Sequence, residues 1–390
     1  MEKFSNNSVN VLLPGSQITL GILGGGQLGR MFAMAAKRMG YRVITLDPGI
    51  DSPCGQVADE QIVADYVDEK ALRQLSEKCN VITYEFENID ARAVEFLESL
   101  GKPIHPSSKV LKISQDRLLE KTFLRNAGLA VTEFMPIREA GDIELCIEKI
   151  GLPAVIKTVR GGYDGKGQAV VRTAIAAREA FQKLFSGQEL IWEKLVPFKK
   201  ELSVVACRGV DGKAKAYPVS ENIHVENILD TGIVPGRVSA SAAQKARKMA
   251  MQVGEALEIR GTYCVEFFLL DQDEILINEI APRPHNSGHY TLDACLCSQF
   301  EQQVRAICSL PLGSTEILKP SVMVNLIGDG KGSNLEGTNL LLLDPHLSLH
   351  LYGKPEAKAK RKMGHFTVVE ETVEAAIESA QDLRGLIYWG

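Results

Sequence analysis

The sequence predicts a chain of mixed α/β and α+β class that is built from three units, and three observations support this prediction. From residue 18 to about 110, strand-like runs such as "ITLGILG" and "YRVITLD" alternate with helical segments, which is typical of parallel βαβ units. A second region has short strands separated by helices, with a glycine-rich loop among them. Beyond Lys200 the strands are longer and follow one another closely, which indicates antiparallel pairing.

These changes in pattern predict the domain boundaries. A polar leader covers 1–17, a Rossmann-like domain with a parallel sheet covers 18–115, a small lid subdomain covers 116–197, and a larger antiparallel-sheet domain with a basic tail covers 198–390. A length of 390 residues suits two or three domains of about 100–200 residues each. We expect a ligand cleft between the lid subdomain and the larger domain.

Composition and charge exclude several classes of protein. The net charge is -5 at pH 7 and the pI is about 5.9, so no nucleic-acid partner is expected. The leader lacks the apolar core of a signal peptide, and no apolar stretch is long enough to span a membrane. The 8 cysteines are scattered, and the closest pair, Cys295 and Cys297, lacks metal-motif spacing. We therefore expect a cytoplasmic protein with reduced, mostly buried thiols and no membrane partner.

The turn "GGGQLG" near the N terminus has the spacing of a dinucleotide-binding site. Gly24, Gly26 and Gly29 follow a strand and open a helix, and Asp47 stands 18 residues beyond Gly29, close to the place of a ribose-binding acid. Alone, this pattern favours an NAD-dependent oxidoreductase. That interpretation leaves the features of the second and third units unexplained.

The loop "RGGYDGKGQ", from Arg160 to Gln168, combines four glycines with two cations. Glycine lets backbone N–H groups approach a ligand closely, and Lys or Arg beside bare amides suits a polyphosphate. A flexible, solvated hairpin tip explains the same composition. The segment "TYEFEN" adds Glu85 and Asn88 at the carboxyl end of a strand, where α/β sheets bind ligands, although loop capping also accounts for them.

The segment "VEFFLLDQDEILINEI" predicts a hairpin with two facing carboxylates. A two-residue turn at Gln272 and Asp273 would place Glu266 opposite Glu279 on one face of nearly continuous apolar strands. Two such carboxylates repel each other and are costly to desolvate, and Mg²⁺ bound together with nucleotide phosphates would resolve both problems. The alternatives are a surface hairpin with solvated glutamates, or a register that is shifted by one residue.

These motifs, in their order along the chain, resemble the ATP-grasp superfamily and, within it, the enzymes that carboxylate 5-aminoimidazole ribonucleotide. The resemblance runs from "GILGGGQLGRM" through "TYEFEN", "GYDGKGQ" and "RPHNSGHYTLDAC" to "RKMGH". It implies a ligase that uses ATP, bicarbonate and Mg²⁺, with two ions expected, and that works as a homodimer. In these enzymes the N-terminal glycine turn presents helix N–H groups to the substrate.

The resemblance also implies roles for individual residues. Lys157 and Lys166 would hold the phosphates, the backbone of "EKLV" would meet the adenine, and Glu201 would hold the ribose. The expected ATP-binding residues are Arg117, Lys157, Gly162, Tyr163, Asp164, Gly165, Lys166, Gly167, Gln168, Glu193, Lys194, Leu195, Val196, Glu201, His224, Asn278 and Glu279. The expected metal ligands are Glu266 and Glu279.

A second group of residues is expected at the reaction centre and around the acceptor substrate. The expected catalytic residues are Tyr163, Asp164, Arg283, His285 and Asn286. The expected substrate-binding residues are Gly26, Gln27, Leu28, Glu85, Asn88, Ser287, Lys354, Arg361 and Lys362. For Lys358 and Lys360 we prefer a solvated loop.

Other functions stay open at this point. Within the same fold they are a formate-dependent glycinamide ribonucleotide transformylase and a biotin carboxylase. Outside this fold, an NAD-dependent oxidoreductase and a non-catalytic nucleotide-binding subunit are possible. The intact acidic pair argues against the non-catalytic subunit.

Overall fold

The N-terminal unit is an open parallel sheet covered on both faces. The computed structural model describes residues 11–15, 17–162, 166–332 and 334–390, so most of the predicted leader lies outside the described residues. The elements of this unit are β1 (Thr19–Leu23), α1 (Gln27–Arg38), β2 (Arg42–Asp47), β3 (Glu60–Val63), α2 (Glu69–Lys78), β4 (Val81–Tyr84), α3 (Ala91–Ser99) and α4 (Ser108–Ser114). The strands pair in parallel in the order β3-β2-β1-β4, and β1 is buried throughout. The glycine turn and "EFEN" therefore follow the carboxyl ends of two neighbouring strands.

The second unit is a four-stranded antiparallel sheet with helices on one face. Its elements are α5 (Arg117–Asn126), β5 (Phe134–Ile137), α6 (Asp142–Lys149), β6 (Ala154–Thr158), β7 (Gln168–Val171), α7 (Ala174–Leu184) and β8 (Leu190–Lys194), with strand order β5-β8-β6-β7. Strand residues alternate between two faces. Ala154 and Ile156 are buried in the core of this unit, whereas Val155 and Lys157 line a cleft on the other face.

The third unit is a nine-stranded antiparallel sheet. Its elements are β9 (Lys200–Arg208), β10 (Ala214–Ala216), β11 (Ser220–Val225), β12 (Ile228–Val234), α8 (Ala240–Ala256), β13 (Gly261–Leu269), β14 (Ile275–Ala281), α9 (Thr291–Ala294), α10 (Gln299–Ile307), β15 (Ser321–Ile327), β16 (Leu335–Glu336), α11 (Thr338–Leu341), β17 (Leu347–Leu351), β18 (Lys362–Val369), α12 (Val373–Arg384) and β19 (Tyr388–Trp389). The order is β14-β13-β9-β11-β12-β15-β18-β17, with β10 beside β9, while β16 and β19 form a separate pair.

The arrangement confirms the predicted fold class, because the first sheet is parallel and the other two are antiparallel. The exact domain boundaries stay a prediction. Among the described residues, no helix is both long enough and apolar enough to cross a membrane.

The hairpin of β13 and β14 confirms the predicted pairing of two glutamates but not the predicted two-residue turn. Glu266 pairs with Glu279, as predicted. The prediction of a two-residue turn at Gln272 and Asp273 was wrong. Leu269 pairs with Ile275, and the Leu270 N–H donates to the Glu274 carbonyl at 2.8 Å, which leaves three residues, Asp271–Asp273, in the connection. An irregularity between Glu266 and Phe267 restores the predicted register. It is a β-bulge, in which one strand carries an extra residue.

Candidate active site

A cleft of about 420 Å³ lies between the four-stranded sheet of the second unit, here called the lid sheet, and the nine-stranded sheet. It is lined by predicted site residues from all three units: Asn88, Arg117, Lys157, Gly162, Lys166, Gln168, Leu195, Glu201, His224, Glu266, Asn278, Glu279, Arg283, His285, Asn286 and Lys362. The other predicted residues that the structure describes are not among those that line this cleft: Gly26, Gln27, Leu28, Glu85, Gly167, Glu193, Lys194, Val196, Ser287, Lys354 and Arg361. Tyr163, Asp164 and Gly165 lie outside the described residues.

The two facing carboxylates carry more negative charge than their surroundings balance. Burial and the neighbouring Glu279 carboxylate raise the pKa of Glu266 well above its usual range. Arg117 Nη2 lies 3.8 Å from Glu279 Oε2. Glu120, which sequence reasoning missed, is a third carboxyl group nearby, and burial and Glu279 raise its pKa as well. A carboxylate cluster of this kind, open to a cleft, suits a divalent cation.

His285 lies beside this pair as a neutral imidazole. The backbone N–H of Ser287 donates to His285 Nδ1 at 3.3 Å, so Nδ1 accepts and the proton sits on Nε2. His285 Nε2 lies 3.2 Å from Glu266 Oε1. Burial lowers the pKa of His285 well below its ordinary value, with a further contribution from Arg283. The neutral ring therefore lies next to the Glu266 carboxylate without balancing its charge.

Lys157 is anchored by a buried ion-pair network. Its Nζ donates to Glu193 Oε2 at 3.0 Å, and Lys121 Nζ lies 3.5 Å from the same oxygen. Burial by itself would raise the pKa of Glu193, but Lys121 and Lys157 together lower it to about 2. Lys121 also donates to Thr132 Oγ1 at 3.0 Å and to the Asn278 carbonyl at 3.1 Å. Sequence reasoning missed Lys121, and it placed Glu193 at the adenine through its backbone only.

The described part of the glycine loop has strict backbone requirements. Gly167 has φ +71, and a Cβ there would lie 2.6 Å from Thr158 Oγ1. A Cβ on Gly162 would lie 2.8 Å from the Lys166 carbonyl oxygen. Arg117 Nη2 donates to the Gly162 carbonyl at 3.0 Å, which ties α5 to the loop. The loop thus brings its backbone close to the cleft at positions where a side chain would not fit.

The opposite end of the cleft is apolar with one polar pair. Phe198 and Phe268 stack with ring centroids 4.7 Å apart and line the cleft beside Leu195. His224 Nδ1 lies 2.8 Å from Glu201 Oε2. Burial lowers the pKa of His224, but the Glu201 carboxylate more than offsets this, so the net shift is upward. A flat base would fit against the aromatic pair, which the sequence analysis did not identify.

The N-terminal glycine turn is occupied by the protein's own carboxylates. Glu85, which is buried, accepts hydrogen bonds from the N–H groups of Gly26 and of Gly29, the latter at 2.7 Å. Asp47 accepts from the Gly25 N–H at 2.7 Å and from the Tyr66 hydroxyl at 2.6 Å. These bonds use the groups that a dinucleotide would need, which argues against the oxidoreductase. The role of Glu85 toward a substrate stays a prediction.

The basic loop between β17 and β18 collects positive charge beside the cleft. Lys354 Nζ donates to the Lys362 carbonyl at 2.6 Å and lies 5.5 Å from the centre of the Tyr352 ring. Burial and the nearby Arg361 lower the pKa of Lys354 to about 8. Gln56 of the N-terminal unit donates to the Gly353 carbonyl at 3.0 Å, which docks the loop there. This arrangement suits an anion.

The two remaining lysines of this loop are exposed, as expected. Lys358 lies 3.3 Å from Glu356, and Lys360 lies 2.8 Å from Glu226.

Arg283 joins the first and third units at the cleft. It forms a two-point ion pair with Glu87, in which Nη2 donates to Oε1 at 2.9 Å. Sequence reasoning named Glu85 and Asn88 but missed Glu87 between them. Glu87 lies beyond the end of β4 at Tyr84, so strand alternation gave no signal for it. Asn286 exchanges amide hydrogen bonds with Asn325, at 2.9 and 2.7 Å, and so is fixed in place.

Three family models match this chain, and together they span all three units. They are a ribonucleotide synthetase preATP-grasp domain over residues 17–115, an ATP-grasp domain over 122–300 and a phosphoribosylaminoimidazole carboxylase C-terminal domain over 321–379.

The chain is also similar over nearly its whole length to named proteins. The N5-carboxyaminoimidazole ribonucleotide synthase of Bacillus subtilis (strain 168) is 46% identical over 375 residues, which is 95% of this chain and 96% of that protein. The synthase of Staphylococcus aureus (strain COL) is 44% identical over 368 residues, or 94% and 95%.

Solved structures agree in fold. A crystal structure of N5-carboxyaminoimidazole ribonucleotide synthetase with ADP has a TM-score of 0.90 and 49% identity, and the match covers 96% of this chain and 98% of that one. The Aspergillus clavatus N5-carboxyaminoimidazole synthase, in complex with ADP and 5-aminoimidazole ribonucleotide, has a TM-score of 0.88 and 34% identity, with 95% and 98% coverage.

Proposed function

Because the chain belongs to the N5-carboxyaminoimidazole ribonucleotide synthase family of ATP-grasp enzymes, we propose that it catalyses the ATP-dependent carboxylation of 5-aminoimidazole ribonucleotide in purine biosynthesis. The observation that carries the proposal is that one cleft collects the Glu266 and Glu279 pair, the anchored Lys157 and the basic Lys362. A nucleoside triphosphate and an anionic acceptor substrate can thus bind in the same cleft.

The reaction has three chemical steps. A bicarbonate oxygen attacks the γ-phosphorus of ATP, the bond to the bridging oxygen breaks, and ADP leaves with that electron pair. The resulting carboxyphosphate releases CO₂ and inorganic phosphate, and the 5-amino nitrogen of the ribonucleotide bonds to the CO₂ carbon and loses a proton. Bicarbonate is a poor electrophile, so phosphorylation supplies the leaving group. Carboxyphosphate hydrolyses readily, so water must be kept from it. The lid sheet, which forms one wall of the cleft, would exclude that water.

The positive charges and the aromatic pair of the cleft indicate how ATP would bind. Lys157, held by Glu193, and Arg117, held against the Gly162 carbonyl, would neutralise the phosphates. The adenine would lie against Phe198 and Phe268, and Glu201 would accept hydrogen bonds from the ribose hydroxyls. The direct ligand roles of Lys166, Gln168 and the "EKLV" backbone are part of the same proposal.

The acidic pair fits Mg²⁺. Glu266 and Glu279 would hold it, and two ions are expected from the family resemblance. When bound, Mg²⁺ neutralises charge on the transferring phosphoryl group. The fit rests on the donor set, because two carboxylates face each other across the hairpin, where burial and the Glu279 carboxylate raise the pKa of Glu266. His285, whose Nε2 lies 3.2 Å from Glu266 Oε1, would help to position that carboxylate.

The acceptor end is the basic loop. Lys354, Arg361 and Lys362 would bind the phosphate of the ribonucleotide, and Arg361 suits this dianion because a guanidinium can grip it with two hydrogen bonds. Arg283, Asn286 and Ser287 would stand between the two ends, near bicarbonate.

Substrate-dependent ADP release tests the proposal. We expect ADP formation to need both bicarbonate and 5-aminoimidazole ribonucleotide. ADP release with formate and glycinamide ribonucleotide, or with bicarbonate and biotin, would instead assign a related ATP-grasp activity. A homodimer and a cytoplasmic location, which suits eight free buried thiols, are further parts of the proposal, and sedimentation velocity checks the former.

A further inference from the structure

A second group of potential metal ligands lies outside the cleft lining. Asp293 of α9, His350 of β17 and His365 of β18 each offer a ligand atom, and these atoms all lie within 4.8 Å of one another. His350 and His365 are direct partners in the antiparallel register, so their side chains project from one face of the sheet.

The hydrogen bonds of this group leave a ligand atom unused. His350 Nε2 lies 3.0 Å from Asp293 Oδ2, and His365 Nδ1 lies 2.8 Å from the Tyr352 hydroxyl. His365 is fully buried, and its Nε2 has no hydrogen-bond partner among the described residues. An unpartnered buried nitrogen beside an imidazole–carboxylate pair indicates a missing partner.

We propose that Asp293, His350 and His365 form a binding site for a divalent transition-metal ion of the Zn²⁺ class. Two imidazole nitrogens and one carboxylate oxygen are ligands that Zn²⁺ prefers, and they leave a fourth position for water. Mg²⁺ favours oxygen ligands and would not compete well. The site is therefore chemically distinct from the Glu266 and Glu279 pair.

Binding requires the partly buried His350 ring to leave its present stacked position. Its ring stacks on His365 with centroids 4.6 Å apart and an interplanar angle of 13°, so the in-plane lone pairs do not yet converge. Ligand atoms around Zn²⁺ stand about 3.4 Å apart at bond lengths of about 2.1 Å. The His350 side chain is 27% exposed, which leaves it room to rotate.

An ion at this place would stiffen the hairpin that carries the basic loop. Tyr352 connects the two, since its hydroxyl bonds to His365 and its ring lies under Lys354 Nζ. This consequence rests on the proposed function, but the binding itself does not.

Titration of the full-length, metal-stripped protein with Zn²⁺ tests the site. We expect one ion per chain to bind, with affinity reduced roughly tenfold or more by His350→Ala or Asp293→Asn. His346→Ala is the matched control, because His346 is an exposed imidazole that is also paired with a carboxylate, Glu370, at 2.8 Å. Glu279→Gln should keep the site, which separates it from the cleft.

Co²⁺ provides a second readout. Its visible spectrum should show nitrogen and oxygen ligands without a thiolate band, and His350→Ala should abolish that spectrum. His365→Ala should also abolish binding. If that variant does not fold, His350→Ala and Asp293→Asn still test the site, because both positions are partly exposed. Absence of Zn²⁺ binding by the unaltered protein, or unchanged affinity in both His350→Ala and Asp293→Asn, would overturn the proposal and leave a buried water as the partner of His365.

Discussion

Glu266 and Glu279 stand directly opposite each other in β13 and β14, although the register of the hairpin shifts by one residue between this pair and the turn. Like charges at opposed positions of a sheet destabilise it, and partial burial increases that cost. The pair therefore favours binding of a cation, and the bulge that creates it also directs the Asn278 carbonyl to Lys121. The proposed metal site and the network that anchors Lys157 therefore meet at this one irregularity.

Removing one charge from the pair should abolish most Mg²⁺-dependent turnover. Glu279→Gln and Glu266→Gln keep the side-chain shape but lose a negative charge, and we expect roughly a hundredfold or greater loss of kcat, because several kcal/mol of charge stabilisation disappear. Glu274→Gln, exposed in the same hairpin, is the control. Near-normal ADP production by both variants at ordinary Mg²⁺ would contradict the role of the pair.

The glycine loop should not tolerate a side chain at Gly167. Gly167→Val forces a residue into a left-handed conformation, at about 1–2 kcal/mol, and against Thr158. We expect weaker protection of the lid by ATP against protease and less carboxylation per ADP released. Gly187→Val is matched, since Gly187 has φ +87 in the same unit but nothing near its Cβ. Equal behaviour of the two variants would mean that the loop is an ordinary hairpin.

The buried network around Glu193 predicts a specific pH dependence. The pKa of Glu193 is lowered from 4.5 to about 2 by two lysines, so its stabilising contribution is complete above about pH 4.5 and is lost as the pH falls toward 2. The difference in apparent melting temperature between the unaltered protein and Glu193→Gln should be largest near neutrality and shrink below pH 4.5. Glu189→Gln, in an exposed pair with Arg138, should show a small difference at every pH. A difference that stays constant down to pH 3 would contradict the assignment.

The basic loop should govern affinity for the acceptor and not for ATP. Arg361→Ala should raise KM for 5-aminoimidazole ribonucleotide by about ten- to a hundredfold, the worth of a charge-assisted contact, while KM for ATP changes little. Lys360→Ala, exposed and paired with Glu226, should change neither constant. An unchanged KM for the ribonucleotide together with a raised KM for ATP would contradict the assignment of the ribonucleotide phosphate to this loop.

Local patterns predicted the sheets and the acidic pair, because strand alternation and apolar runs report burial directly. They did not predict Lys121, since a lysine in a polar helix reads as solvated. Its burial depends on Thr132 and Asn278, and Asn278 lies far along the chain. The local patterns also did not predict that Glu85 accepts hydrogen bonds from the N–H groups of Gly26 and Gly29, because those groups follow a different strand. The three-residue turn and the bulge compensate each other, so the facing pair was predicted correctly from an incorrect turn.

The central claim, that ATP phosphorylates bicarbonate in this cleft, is tested most directly with bicarbonate labelled with ¹³C and ¹⁸O. In a rapid single turnover with 5-aminoimidazole ribonucleotide, the account predicts ¹³C in the product's new carboxyl group and one ¹⁸O from bicarbonate in the released phosphate, because a bicarbonate oxygen bonds to the γ-phosphorus. Released phosphate without bicarbonate oxygen, formed at the same rate as ADP, would contradict the account.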